Sequence, residues 1–142
     1  VVVDTNVFVS ALIRGEGASR EVLRRCLRRR LEPLMGPALL AEYESLLGRE
    51  ELFRRSALDA RQRDLVFNGF LSVCRWTRIY YRWRPNLRDE ADNHVVELAV
   101  AGGARAIVTK NVRDFRATDL QFPDLQVLKP EVLLQEMDSW ER

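Results

Sequence analysis

The sequence predicts an α/β fold, a three-layer α/β/α sandwich around a central parallel sheet. Three observations predict it. The chain opens on VVVD, a β-branched run with no polar alternation, as a strand buried on both faces requires. Short apolar runs return near residues 31–35, 104–109 and 125–128, and stretches of helical period separate them, the pattern of a parallel sheet covered on both sides. With 142 residues, 46% of them hydrophobic, there is material for one core, so residues 1–142 are expected to form a single domain.

Taken in order, the first strand begins without a Met, and a few residues are expected to precede it. Gly15 and Gly17 mark a loop. Ser19 is the expected N-cap of a helix whose apolar stripe is Val22, Leu23, Cys26, Leu27 and Leu31, with Arg24, Arg25, Arg28, Arg29 and Arg30 mostly outside it. A brief strand over 31–35 follows, then a helix opened by Gly36-Pro37 and running to about residue 47. A longer helix is expected over 59–75. Residues 76–88, ending near Pro85-Asn86, read as strand plus loop. Residues 89–101 read as a helix stopped by Gly102-Gly103, 104–109 as the next central strand, 125–128 as a last strand bracketed by Pro123 and Pro130, and 131–140 as the closing helix.

Composition excludes several function classes. No run approaches the roughly 20 apolar residues of a membrane span, so a soluble, cytoplasmic protein with no membrane partner is expected. Cys26 and Cys74 lie in no CxxC or Cys/His pattern, which argues against a disulfide framework or a zinc site. His94 is the one histidine, so a Ser/His or Cys/His triad or a paired-histidine metal site would rest on that single ring. The 23 basic and 21 acidic residues leave a net charge of +2, which says little about nucleic acid. Only Lys110 and Lys129 are lysines, a bias toward the bidentate arginine donor that suits phosphate and structural ion pairs alike. Carboxylate chemistry is left in the lead.

In open parallel sheets ligands bind beyond the carboxyl ends of the strands. Asp4 stands at the end of the first strand, where a buried, unpartnered carboxylate is costly; it needs a cation, a helix N-terminus, or both. The segment ARAIVTKNVRDF brings Thr109, Asn111 and Asp114 to the same rim, while Asp92, with Asp89 one turn earlier, opens the preceding helix. On the helix after Gly36-Pro37, Glu42 lies about 40° beyond the apolar arc. Glu44 flanks the arc's other side, so periodicity does not choose between them. If Asp4, Glu42, Asp92 and Asp114 converge, each pair at about 6 Å repels by roughly 3 kcal/mol at an effective dielectric near 20. Either some of them protonate or a hard divalent cation sits among them, and an all-oxygen set favours Mg²⁺ or Mn²⁺ over zinc.

Each residue also has an ordinary reading. Asp89 and Asp92 suit the first turn of a helix, Asp114 and Asn111 suit a turn, Glu42 suits a solvated helix position, and His94 reads as packing or support rather than a base. The arginines over 24–30 read as a solvated face.

The blocks VVVDTNVFVSALI, the Glu42 helix and RDEADNHVVELAVAGGARAIVTKNVRDF, in that order, resemble a PIN domain, close to the VapC-like toxin components of toxin–antitoxin pairs. The resemblance spans essentially the whole chain. It implies an α/β/α fold and a metal-dependent endoribonuclease that hydrolyses RNA phosphodiester bonds. Its site would be made by Asp4, Glu42, Asp92 and an acid of the TKNVRD block, with one or two Mg²⁺ or Mn²⁺ ions between these carboxylates and the scissile phosphate. Family members often carry Asp where this chain has Asn111, so Asp114 takes the charge here and Asn111 offers a neutral oxygen. Asp89 matches a common acid of the subgroup, and Thr5, Asn6 and Thr109 look like the residues that orient the ligands. The resemblance further implies an RNA substrate, a cognate antitoxin protein and a homodimer.

Lys110, Arg113 and Arg116, beside the acidic site, are placed to meet a phosphate backbone. The arginines and aromatics of CRWTRIYYRWRPNLR suit stacking on unpaired bases, an ordinary edge strand, or an antitoxin contact. Three other functions compete. A non-catalytic PIN module binding RNA or a protein is kept open by Asn111. A phospho-acceptor receiver domain needs an acceptor Asp ending a mid-chain strand, which 31–35 lacks. A DxD phosphatase fails because Asn6 stands at the second position after Asp4.

Overall fold

The structure is a computed structural model and describes residues 1–79, 93–115 and 122–140. Strands β1 (Val2–Val3), β4 (Ala106–Val108) and β5 (Gln126–Leu128) form a parallel sheet in the order β1-β4-β5, with Val2 opposite Ile107 and Val3 opposite Val108. Strands β2 (Leu34–Met35) and β3 (Arg75–Trp76) form a second parallel ladder. The two ladders are joined at Val1, whose nitrogen donates to the Glu32 carbonyl and whose carbonyl accepts from the Leu34 amide, both at 2.8 Å. The predicted α/β sandwich with a parallel sheet is what is found. Val2, Ala106, Ile107 and Val108 are fully buried, which accounts for the absence of polar alternation in these strands.

Six helices are described: α1 (Thr5–Ile13), α2 (Ala18–Leu27), α3 (Pro37–Leu47), α4 (Ala60–Val73), α5 (Asn93–Ala101) and α6 (Pro130–Trp140). Helix α5 packs on β1, β2 and β4, and α6 packs on β5. Helix α1 packs on α2 and α3, and α2 packs on α4 and α6. Short 3₁₀ turns occupy Glu50–Phe53 and Val112–Phe115. Among the described residues no helix is long and apolar enough to cross a membrane.

Several expected boundaries move. Helix α1 has no counterpart in the sequence reading, although Val7, Phe8, Ala11 and Leu12 are buried at i, i+1, i+4 and i+5. The N-cap of α2 is Gly17 rather than Ser19: its φ of 114° is open to glycine at little steric cost and turns the chain into the helix earlier. Helix α2 ends at Leu27, and buried Leu31 is reached through a turn in which Arg29 takes φ 62°. Asp59 caps α4 through a capping box with Gln62, and the helix stops at Val73, leaving Arg75 to β3. Residues 89–92 of the expected helix, and most of the loop over 76–88, lie outside the described residues.

A cluster of four rings ties α1, α3 and α4 together. Phe8 meets Tyr43 edge-on with centroids 5.2 Å apart and lies 5.0 Å from Phe70, and Tyr43 stacks on Phe67 at 5.6 Å. The fully buried Tyr43 hydroxyl donates to the Val3 carbonyl at 2.7 Å. This bond locks α3 to the end of β1 and so fixes where its neighbour Glu42 stands.

Candidate functional site

The site begins where β1 ends. The Asp4 amide continues the ladder by donating to the Val108 carbonyl at 2.9 Å, which brings the side chain to the carboxyl rim of the sheet. Asp4 is also the N-cap of α1, its Oδ1 accepting from the Thr5 amide at 2.9 Å. Its Oδ2 accepts from the Thr109 hydroxyl at 2.8 Å and from Asn6 Nδ2 at 3.4 Å. The carboxylate is thus buried against the start of a helix, as a costly buried charge requires. Burial pushes its pKa above the ordinary aspartate value; donation from Thr109 opposes this, and the Glu42 charge adds to it.

Thr109 is fully buried, its amide held by the Leu128 carbonyl at 3.0 Å. Its hydroxyl also accepts from the Asn111 amide at 3.1 Å and lies 3.3 Å from Asn6 Nδ2. Asn6 Oδ1 in turn accepts from the Lys110 amide at 3.1 Å. The loop after β4 is therefore pinned to the first turn of α1, and Thr109 and Asn6 hold Asp4 between them.

Glu42 reaches the same place from α3. Its Oε1 accepts from the Thr5 hydroxyl and its Oε2 from His94 Nε2, each at 2.7 Å. An ionised carboxylate only accepts, so His94 Nε2 is the donor in this contact. That hydrogen bond is the main reason the Glu42 pKa falls below the ordinary glutamate value, with burial opposing it. Glu44, which periodicity left level with Glu42, is exposed. Thr5 serves both acids, its amide binding Asp4 and its hydroxyl Glu42.

The structure thus brings together Asp4, Thr5, Asn6, Glu42 and Thr109 of the sequence-predicted set and adds His94. Asn111 contributes its backbone amide, and its side chain is exposed. Asp114 lies on the 3₁₀ turn of the same loop, where its side chain makes no hydrogen bond or ion pair with another described residue. Lys110 and Arg113 are exposed, and Lys110 Nζ lies 3.3 Å from Ser10 Oγ. Asp89, Asp92 and Arg116 lie outside the described residues, as do Tyr80, Tyr81, Arg82, Trp83, Arg84 and Arg88. Arg75 is engaged elsewhere, with Glu32 and the Gly102 carbonyl, each at 2.7 Å. The role of Tyr43 escaped sequence reasoning, and so did the partner of His94, which the reading of that ring as packing or support left unnamed. Tyr43 looked like any member of an apolar arc, and His94 gave no signal of pairing with an acid 52 positions away.

Both cysteines are free, and burial pushes each thiol up to about 12, which keeps them protonated and non-nucleophilic near neutrality. Among the described residues no three His, Cys, Asp or Glu side chains gather as a metal-binding group. What is present is a pair of carboxylates with oxygen-only chemistry, one buried and one half-buried, each oriented by donors. Such a pair fits part of the ligand set of a hard divalent cation, and α5, the helix that Asp92 adjoins in sequence, is already in contact with Glu42 through His94.

The family model described as PIN domain matches residues 1–113, a span that includes Asp4, Glu42, Asp92 and Thr109. No curated protein and no solved structure gives a significant match. With four-fifths of its length covered and with Asp4 and Glu42 joined at the rim of a parallel sheet, the chain belongs to the PIN-domain family, whose members are in general nucleases that use divalent metal ions.

Proposed function

We propose that the protein is a metal-dependent endoribonuclease that hydrolyses RNA phosphodiester bonds, and that it is the toxin of a toxin–antitoxin pair restrained by a cognate antitoxin protein. The observation that carries the nuclease reading is the buried carboxylate of Asp4, linked through Thr5 to that of Glu42. Burial disfavours its charge, and a neighbouring cation would make that charge stable. Asp4 and Glu42, with Asp92, would hold Mg²⁺ or Mn²⁺. When bound, the ion supplies neutralisation of phosphate charge and activation of water.

The chain's own residues do the positioning. Thr109 and Asn6 fix Asp4, while Thr5 and His94 fix Glu42. Lys110 and Arg113, exposed beside this rim, meet the phosphate backbone, with Arg116 next to them in sequence. Asn111 and Asp114 offer oxygens from the same loop. Cleavage would leave a 5′-phosphate and a free 3′-hydroxyl.

The test is cleavage of a mixed RNA pool in Mn²⁺, Mg²⁺ or EDTA by wild type, Asp4→Ala and Asp92→Ala. Cutting that needs the ion and is lost in both variants supports the reading; cutting in EDTA, or full activity in both variants, refutes it. One observation favours a second reading, an RNA-binding module without catalysis: the loop after β4 carries an exposed neutral Asn111 where family members often have Asp. RNA retained tightly but never cut, under any ion, would establish that alternative.

A further inference from the structure

Glu42 is held by donors on two different helices. Thr5, at the start of α1, donates to Oε1, and His94, on the first described turn of α5, donates to Oε2, each at 2.7 Å. A glutamate has three rotatable side-chain bonds, and this one is a third exposed; without partners it would sample several rotamers. The ring of His94 is itself mostly enclosed, with its side chain 21% exposed, and its Nδ1 is buried with no hydrogen-bond partner among the described residues. Among the described residues, Glu42 is therefore the polar partner that orients the ring. A histidine present for packing alone has no need to aim Nε2 at a carboxylate oxygen.

We infer that His94 is a positioning residue that fixes the Glu42 carboxylate for cation binding, so that α5 contributes to the metal site through this ring. The inference rests on the reading of Asp4 and Glu42 as cation ligands. The ring touches Glu42 and acts through it. Loss of a hydrogen-bond partner to a metal-binding carboxylate or histidine typically weakens metal affinity by about 10- to 100-fold, and an effect at the lower end is expected for a partly exposed carboxylate that keeps Thr5.

The experiment is calorimetric titration of Mn²⁺ into wild type, His94→Leu, His94→Gln and Asp4→Asn, with melting of each metal-free protein and kcat and KM for RNA at saturating Mn²⁺. Glutamine places an amide N–H near the position of Nε2–H, whereas leucine fills the space with no donor. Wild type should bind Mn²⁺ and Asp4→Asn should not. His94→Leu should bind about tenfold more weakly, His94→Gln should recover to within about threefold of wild type, and KM for RNA should stay unchanged in both. His94→Leu binding as tightly as wild type, or His94→Gln as weak and as thermally destabilised as His94→Leu, overturns the inference while leaving the acidic site intact. Wild type that fails to bind Mn²⁺, or Asp4→Asn that binds like wild type, overturns the cation reading and this inference with it.

Discussion

Asp4 and Glu42 share a site and a bridging threonine, yet their surroundings push their charges in opposite directions. Burial raises the Asp4 pKa, so this group contributes stability below the unfolded aspartate value and loses it as pH rises through the folded value. Above that value and without metal, the ionised carboxylate is disfavoured against its protonated form. Asp4→Asn loses the Oδ2 that accepts from Thr109 and Asn6, a loss that does not vary with pH, but it carries no charge, so its midpoint in EDTA should improve relative to wild type as pH rises through the folded Asp4 value. Glu42 behaves oppositely. Its pKa is lowered by His94, so its contribution is present above the unfolded glutamate value and is lost as pH falls through the folded one. Glu42→Gln should therefore lower the midpoint at pH 7 and converge on wild type in acid. Thermal melts of the two variants across pH 3 to 7 check both signs; differences from wild type that change with pH in the same direction would contradict this account of the pair. The cost of burying Asp4 was legible from its place after three valines, whereas the lowered pKa of Glu42 was not, because Glu42 read as a solvated helix position. Burial and a donor 52 positions away set the difference.

At the level of elements, the site depends on how α3 and α5 are seated. Tyr43→Phe keeps the stacked rings but removes the bond to the Val3 carbonyl; it should cost about 1 kcal/mol and loosen the placement of Glu42, read as weaker Mn²⁺ binding. Gly102 ends α5 where backbone and side chains close in. A Cβ there would run into Leu34 Cδ1 and lie 3.1 Å from Thr77 Oγ1 and 3.3 Å from the Leu98 carbonyl. Because Leu34 is itself buried, Gly102→Ala should destabilise by about 1–3 kcal/mol, measurable by urea denaturation; an unchanged midpoint would show that the β2–α5 contact is looser than described. The stop signal Gly102-Gly103 was legible because Gly103 takes φ 65°, a conformation glycine adopts freely. Helix α1 was not: its β-branched Val7 and Val9 and its continuous apolar character blur the helical period, and tertiary packing through Phe8 decides it. Short strands of two or three residues likewise carry too little sequence to mark their own ends.

For the whole molecule, the parallel sense of the strands and the place of Asp4 at the carboxyl end of β1 were readable from a few β-branched runs and the residue that follows the first of them. The pairing of Leu34 with Val1 across the two ladders, which brings the α3 region beside β1, was not, because nothing local encodes which strands become neighbours. A cation that binds the folded chain alone should stabilise all of it, by about 2.7 kcal/mol at one hundred times its dissociation constant. Mn²⁺ should therefore raise the midpoint of wild type and leave Asp4→Asn unmoved.

The central claim is that Asp4 and Glu42 meet to hold a divalent cation, and titration of Mn²⁺ into the metal-stripped wild type and into Asp4→Asn followed by calorimetry tests it most directly. Saturable binding by wild type that vanishes in the variant is the expected result. Equal heats in the two proteins, or none in wild type, would contradict it.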